Sequence, residues 1–245
     1  MSRRALSFGA AAREYDRFRP GYPDELADLV LAHARGPVRR ALEIGAGTGK
    51  ATRLFAGRGV HVVAVEPDAE MRAVLLAQTV DLPVEVLAGT FEEVVLPDVG
   101  LMDLCFAGAA FHWTDPETRW QRVAASLRSG GVAAIFGAQT VVADPGLAAA
   151  ITAIEEEITG PGSALLASAY VEAVDLPELE PPELAILPRR SEHAVEDYLG
   201  HLGTVSAYLL LEPRERAAVL ARVRALLPAR VELAQDVYVQ LTRRV

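Results

Sequence analysis

The sequence predicts an α/β fold built on a doubly wound, mostly parallel sheet. β-like segments alternate with helical segments five times, and the spacings imply right-handed crossovers. The strands are continuously apolar, as expected where helices cover both faces of a sheet. The predicted strands are VRRALEI (38–44), VHVVAVE (60–66), VEVLA (84–88), LMDLCFAGA (101–109) and VAAIFGA (132–138).

The helical segments between these strands carry start and stop signals. Gly36-Pro37 ends the first helix that packs on the sheet, because proline cannot continue it. Asp68 is placed to cap the N-terminus of a later helix, and Pro116 suits the first turn of another. The predicted helices span 23–35, 50–59, 67–78 and 115–127.

The strand–helix alternation stops after about Ala143. A proline-rich stretch follows a helical segment there, so we predict that 142–205 is a lid or acceptor-side insertion. Residues 1–141 and 206–245 then form the main domain, with a helix over 212–227 and a final strand or hairpin over 231–245.

Composition narrows the class of protein. The chain has 245 residues, a length that suits one α/β domain with a small insertion. Its net charge of −9 argues against nonspecific nucleic-acid binding. Cys105 is the single cysteine, so we expect it to be a packing residue and predict no metal site. No secretory leader or apolar run of membrane-spanning length is evident, and we expect a soluble cytoplasmic protein. The sequence alone does not indicate an oligomeric state.

A glycine-rich turn, EIGAGTGKAT (43–52), follows the first predicted strand. It is not a phosphate-binding loop, because Gly45 and Gly49 are separated by three residues rather than four. Ala51 also stands where that loop needs a hydroxyl for magnesium. Lys50 is then expected to be a solvated side chain.

Two acidic residues near this turn indicate another ligand. Glu66 ends the second strand, where a carboxylate can accept hydrogen bonds from a ribose diol. Glu43 lies two residues before the first glycine, where it would repel a pyrophosphate and attract an ammonium group. An adenosine ligand with an ammonium group and no phosphate is S-adenosylmethionine.

The turn resembles the first motif of class I S-adenosylmethionine-dependent methyltransferases. VVAVEPDAEM, AGTFEEVVLPD and DLCFAGAAFHWTDP resemble the second, third and fourth motifs in order, and the resemblance covers residues 8–138 best. YDRFRPGYP and AFHW are typical of the methyltransferase-11-like small-molecule branch, which includes trans-aconitate methyltransferase relatives. The branch often carries Gln or Ser where Gly108 stands.

The resemblance implies a Rossmann-like fold with a seven-stranded sheet, and it assigns a cofactor site. S-adenosylmethionine would be the cofactor and S-adenosylhomocysteine the product. Tyr15 and Arg19 would cap the methionine part if the N-terminal segment folds over the site. The cofactor-binding residues implied are Tyr15, Arg19, Glu43, Gly45, Ala46, Gly47, Thr48, Gly49, Glu66, Pro67, Met71, Thr90, Phe91, Glu92, Ala107 and Gly108.

The predicted reaction is in-line methyl transfer to a small-molecule acceptor: a carboxylate, hydroxyl or amine. His112 is the candidate general base, and the alternative is a structural histidine packed beside Trp113. Two other functions stay open: a catalytically silent protein with this fold, and an NAD-dependent oxidoreductase. Glu43 and the glycine spacing disfavour the second of these.

Overall fold

A computed structural model describes residues 9–159 and 174–245 of the chain. Its main feature is a seven-stranded sheet with the strand order β3-β2-β1-β4-β5-β10-β7. The first five strands along the chain run parallel to one another, and β10 is antiparallel to both β5 and β7. The strands are β1 (Arg40–Ile44), β2 (His61–Glu66), β3 (Val84–Ala88), β4 (Met102–Gly108), β5 (Leu127–Ala138), β7 (Glu183–Leu187) and β10 (Val237–Arg243). The predicted mostly parallel, seven-stranded Rossmann-like sheet is confirmed.

The sheet is covered on both faces. Leu26, Phe55 and Leu75 come from three different helices and pack with sheet residues in one core cluster. Trp120 and Val123 pack in a second core cluster, with Leu42 and Cys105 of the sheet. The helices are α1 (Ala12–Phe18), α2 (Asp24–His33), α3 (Lys50–Ala56), α4 (Ala69–Gln78), α5 (Leu96–Val99), α6 (Arg119–Ser126), α7 (Pro145–Thr159), α8 (Val195–Gly203), α9 (Ser206–Leu209) and α10 (Pro213–Leu226).

A smaller unit contains a three-stranded antiparallel sheet of order β6-β9-β8. We call this sheet, together with the helices packed on it, the cap. These strands are β6 (Val141–Val142), β8 (Arg190–Ala194) and β9 (Arg230–Ala234). A third core cluster joins the cap's helices to this sheet through Tyr198 and Val223, among others.

The structure places the edges of the insertion differently from the prediction. Glu183–Leu187 lies inside the predicted lid, yet it pairs with β10 in the large sheet. Conversely, α10 and β9 follow the predicted end of the lid but belong to the cap, because β9 supplies the central strand of the small sheet. The stretch 231–245 is therefore not a hairpin, since its two strands join different sheets. The role of the cap as a lid stays a prediction.

Two local predictions have clear outcomes. Asp68 caps α4, accepting hydrogen bonds from the backbone N–H groups of Glu70 and Met71 at 2.9 Å. The helix predicted from Asp115 begins only at Arg119. Asp115 instead folds a turn, because its carboxylate accepts from the Glu117 N–H and the Thr118 hydroxyl.

Candidate active site

The glycine-rich turn lies at the point where the strand order reverses. β1 pairs with β2 on one side and with β4 on the other, so a crevice opens at the carboxyl ends of these strands. Gly47 has a left-handed φ of 58°, and a Cβ built on it would meet nothing within 4 Å. The backbone therefore faces open space there, as a turn that contacts a ligand requires.

Gly49 has a different role in the turn. Its φ is 85°, and a Cβ at this position would lie 2.5 Å from the Leu75 side chain. Gly49 thus lets the N-terminus of α3 pack closely against α4, and it does not line the cavities described below. Its effect on a ligand is indirect, through the shape of the turn.

Glu66 is held at the end of β2 by two backbone groups. The N–H of Gly47 donates to its Oε2 at 2.8 Å, and the N–H of Asp68 donates to its Oε1 at 2.9 Å. Burial raises the pKa of this carboxyl, against the lowering effect of these two bonds. Each oxygen keeps a further lone pair, so the fixed carboxylate can accept hydrogen bonds from a diol.

Glu43 is buried at the end of β1, with 1% of its surface exposed. The Thr52 hydroxyl donates to its Oε2 at 2.5 Å. Burial raises the pKa of Glu43 to about 8, and the hydrogen bond from Thr52 only partly opposes this. An ammonium group placed against this carboxylate would stabilise its charged form.

A main cavity of about 730 Å³ opens beside the turn. Its volume lies in the range typical of sites for small molecules and cofactors. Trp113 and Asp68 line it too. The predicted residues that line it are Tyr15, Gly45, Gly47, Glu66, Pro67, Met71, Thr90, Phe91, Glu92 and Gly108.

A narrower space of about 80 Å³, which we call the waist, continues from the main cavity. The two share Tyr15, Gly45, Gly47 and Gly108 among their lining residues. The remaining predicted residues on the walls of the waist are Arg19, Glu43, Ala46 and Thr48. The waist therefore places the buried Glu43 carboxylate beside the glycine-rich turn.

The N-terminal segment folds over the waist. The Arg19 guanidinium lies 5.3 Å from the centre of the Tyr15 ring. Arg19 donates from Nε and Nη2 to the hydroxyl and carbonyl oxygens of Thr204, at the C-terminal end of α8. These bonds join the segment to the cap and hold both predicted residues at the site.

The expectation of a solvated Lys50 is wrong. Its side chain is 14% exposed, and Nζ donates to the backbone oxygen of Asp16 at 2.7 Å. Arg53 forms an ion pair with the Asp16 carboxylate at 3.2 Å. These two basic residues of α3 anchor α1, and Lys50 lines the waist.

A third space of about 350 Å³, which we call the cap cavity, lies between the end of α1 and the cap. It shares Arg19, Pro20, Thr140 and His201 with the waist. The three spaces thus follow one another from the turn into the cap. Sequence reasoning missed the cap-side residues, since Thr140 and His201 belong to no recognised motif.

Two predicted residues besides Gly49 lie off the cavities. Ala107 is buried within β4 and contributes packing there. His112 is exposed, lies with its ring centre 4.3 Å from that of Trp113, and is not among the lining residues. His112 thus lies beside Trp113, and its role as a general base stays a prediction.

Gly108 has an unexpected neighbour. A Cβ built on it would lie 2.9 Å from the Tyr22 hydroxyl and 3.1 Å from the Phe136 ring. The Tyr22 side chain therefore occupies the space that a larger residue at position 108 would need, and it lines the waist. Tyr22 lies in the stretch YDRFRPGYP, but nothing in the sequence connects it with Gly108.

Cys105 has the packing role that its sequence context predicted. It is fully buried in β4, and burial raises the pKa of its thiol to about 12. Within 9–159 and 174–245, no three His, Cys, Asp or Glu side chains form a group that could hold a metal ion. No helix of these same residues is long and apolar enough to cross a membrane.

Part of this chain is similar to known methyltransferases. Residues 42–135 match the methyltransferase-11 model, described as a methyltransferase domain. An uncharacterized methyltransferase of Mycobacterium tuberculosis is 47% identical over 128 residues, which are 52% of this chain and 50% of the relative. A Saccharomyces cerevisiae protein named as a probable S-adenosylmethionine-dependent methyltransferase is 26% identical over 126 residues, covering 50% of this chain and 43% of that protein. The chain spans about half the length of the curated relatives it matches.

Solved structures extend the likeness over most of the chain. A structure of a type II methyltransferase candidate from Anaeromyxobacter dehalogenans has a TM-score of 0.67 and 25% identity. The match covers 92% of this chain and 98% of that one. A methyltransferase candidate of an antibiotic biosynthesis pathway, from Anabaena variabilis, has a TM-score of 0.60 at 18% identity, over 94% of this chain and 99% of that one. The second likeness concerns the fold alone.

Proposed function

We propose that this chain, which carries a methyltransferase domain over residues 42–135, transfers a methyl group from S-adenosylmethionine to a small-molecule acceptor. The observation that carries the proposal is the pairing of two fixed carboxylates with an open glycine turn. Glu66 faces the main cavity and Glu43 faces the waist, with Gly47 lining both. This set matches a ligand with a diol at one end and an ammonium group at the other.

The adenosine part fits the main cavity. Glu66 would accept hydrogen bonds from the ribose hydroxyls, since two backbone N–H groups already hold its carboxylate in place. Met71, Pro67 and Phe91 would supply the apolar contacts that an adenine ring needs. Trp113, which lines the same cavity, adds an aromatic face.

The methionine part fits the waist. Glu43 would bind the ammonium group, and this ion pair would offset the burial that keeps its carboxyl neutral in the free protein. Tyr15 and Arg19 would cap the same part, and the Arg19 guanidinium can bind a carboxylate. The carboxyl end of the ligand would then lie near the cap.

The residues would contribute alignment and exclusion of water. When bound, S-adenosylmethionine supplies a sulfonium methyl group with a neutral leaving group, so no metal is needed for its activation. The N-terminal segment would close the waist and fix the line of approach from the cap side. His112 has no place in this geometry, because it lies outside the lining of the cavities.

Calorimetric titration of the purified chain with S-adenosylmethionine and with S-adenosylhomocysteine tests the proposal. We expect both to bind at micromolar concentrations, and NAD to bind far more weakly. Absence of binding by both sulfur ligands would refute the cofactor assignment. Tight NAD binding would revive the oxidoreductase alternative.

A second assay separates an enzyme from a silent binding protein. S-adenosylmethionine is incubated with the chain and a panel of small acids, alcohols and amines, and formation of S-adenosylhomocysteine is followed. Acceptor-dependent product formation supports the proposal. Binding without turnover across the panel would favour the silent alternative.

A further inference from the structure

Most of the residues that line the cap cavity lie outside the proposed cofactor site. It shares four residues with the waist, so a molecule inside it can reach the methionine end of the cofactor site. The rest of its wall comes from the end of α1, from α8 and from the small sheet. Its volume of about 350 Å³ falls in the range of small-ligand sites.

Two buried polar residues, Thr140 and His201, line this space where it meets the waist. His201 is 4% exposed, and its Nδ1 is buried without a hydrogen-bond partner among the described residues. Thr140 is 3% exposed and lines the same cavity. Buried polar groups are normally paired, so the unpartnered His201 nitrogen is an exception beside this cavity, and the Thr140 hydroxyl adds a group that can donate or accept a hydrogen bond.

A hydrogen-bonded chain orients a third polar group. The Ser191 hydroxyl donates to Gln235 Oε1 at 3.1 Å and lies 2.7 Å from His193 Nε2. Since a hydroxyl has one proton to give, His193 Nε2 is the donor to Ser191. Gln235 is held by its oxygen, and its amide nitrogen is left as a donor at the wall of the cap cavity.

The charged groups at this cavity favour an anion. Arg19, whose guanidinium is assigned above to the methionine carboxylate, donates to the neutral Thr204 oxygens and adds positive charge at the boundary with the waist. Arg17 lies over the Phe18 ring at 4.8 Å and has no carboxylate partner among residues 9–159 and 174–245. Asp197 opposes them from an exposed position at the rim. His201 adds no charge, because burial, Arg19 and His193 lower its pKa to about 3.

We infer that the cap cavity is the acceptor subsite and takes a small organic molecule that carries an oxyanion, bound by Arg17 and the Gln235 amide. This inference rests on the proposed function. Thr140 and His201 lie where the cavity meets the waist, so they contact the part of the acceptor that approaches the methyl group. An arginine fork fits a carboxylate or a phosphate monoester equally, and both have to be tested.

The test uses the full chain saturated with S-adenosylhomocysteine. Succinate and glycerol 3-phosphate are the oxyanion probes, and succinamide and glycerol are their neutral partners. We expect at least one oxyanion to raise the melting temperature and to bind in calorimetry, while its neutral partner does neither. The probe that binds identifies the carboxylate or the phosphate as the preferred group.

Two variants locate the binding. Arg17→Gln should weaken oxyanion binding at least tenfold. It should leave S-adenosylhomocysteine affinity unchanged, because Arg17 lines the cap cavity but neither the main cavity nor the waist. Arg13→Gln is the matched control, since Arg13 is exposed on the same helix and lines none of the three spaces. Thr140→Val removes a hydroxyl without changing side-chain size, and it should also weaken binding of the probe.

Several results would overturn the inference. These are binding of neither oxyanion at millimolar concentration, equal binding of the neutral partners, unchanged affinity in Arg17→Gln, and competition between the oxyanion and S-adenosylhomocysteine. Competition would mean that the anion occupies the methionine end of the cofactor site. Failure of the wild-type chain to bind S-adenosylhomocysteine would instead refute the proposed function, before any probe is added.

Discussion

Replacing Glu43 with glutamine tests two effects of this carboxylate separately: its effect on the stability of the ligand-free protein and its role in cofactor binding. Burial raises its pKa from 4.5 to about 8, so the folded chain keeps the group neutral where the unfolded chain ionises it. Its contribution to stability is therefore complete below pH 4.5 and is lost as the pH rises to about 8. At about 1.36 kcal/mol per pH unit, the loss is about 3 kcal/mol at pH 7 and approaches about 5 kcal/mol above pH 8.

Glutamine has the same shape, still accepts the Thr52 hydrogen bond, and carries no charge to desolvate. In urea unfolding of the ligand-free protein, the free energy of unfolding of Glu43→Gln should therefore exceed that of the wild type by about 3 kcal/mol at pH 7. The two proteins should differ little near pH 4.5. Glu85→Gln, at an exposed position on β3, is the matched control and should change stability by less than about 0.5 kcal/mol. Equal stability of Glu43→Gln and wild type at about pH 9 would refute the burial argument.

The same substitution should weaken cofactor binding. Removing one partner of a buried ion pair costs about 2–5 kcal/mol, so affinity for S-adenosylhomocysteine should fall at least tenfold. Wild-type binding at pH 7 should also release close to one proton from Glu43, measurable by calorimetry in buffers of different ionisation enthalpy. The ligand's own ammonium titrates in both proteins, so the difference between them isolates Glu43. Unchanged affinity and no difference in proton release would show that Glu43 does not meet the ammonium group.

Three further substitutions and one control variant, Gly59→Ala, test the rest of the site. Glu66→Ala should lower S-adenosylhomocysteine affinity by at least tenfold, because each hydrogen bond to a charged group contributes about 1.5–3 kcal/mol; near-unchanged affinity in calorimetry would exclude the ribose role. Gly47→Ala should cost about 1–2 kcal/mol of stability for its left-handed backbone and also weaken binding, since its methyl group enters the ligand space. Gly59 has a φ of 81°, and a Cβ built on it would meet nothing within 4 Å. Gly59→Ala should therefore cost the same stability in urea unfolding yet leave affinity for S-adenosylhomocysteine intact. Equal affinity of the two variants would contradict a role of the glycine-rich turn in binding the ligand. His112→Asn should keep turnover within about twofold at every pH, as expected for a side chain outside the cavities, whereas a loss of a hundredfold or more would restore it as a general base.

The order of elements in the main domain could be predicted because it depends on local patterns. Continuous apolar runs, the glycine turn and the Asp68 cap each act within a few residues along the chain. The identity of the two carboxylates was also predictable, since Glu43 and Glu66 end adjacent parallel strands and such ends meet at one edge of a sheet. The helix predicted from Asp115 failed for an equally local reason, because its carboxylate folds a turn instead.

The cap had no comparable signal. β7 follows a proline-rich stretch and reads as part of an insertion, yet it pairs with β10, about fifty residues further along the chain. Tyr22 fills the space beside Gly108, and Thr140 and His201 both line the waist, although these residues are distant in sequence. The sequence by itself determined the fold class, the glycine-rich turn and the two acids beside it. Only the tertiary structure decided which residues form the waist and the cap cavity, because the walls of these spaces come from segments that are distant in sequence.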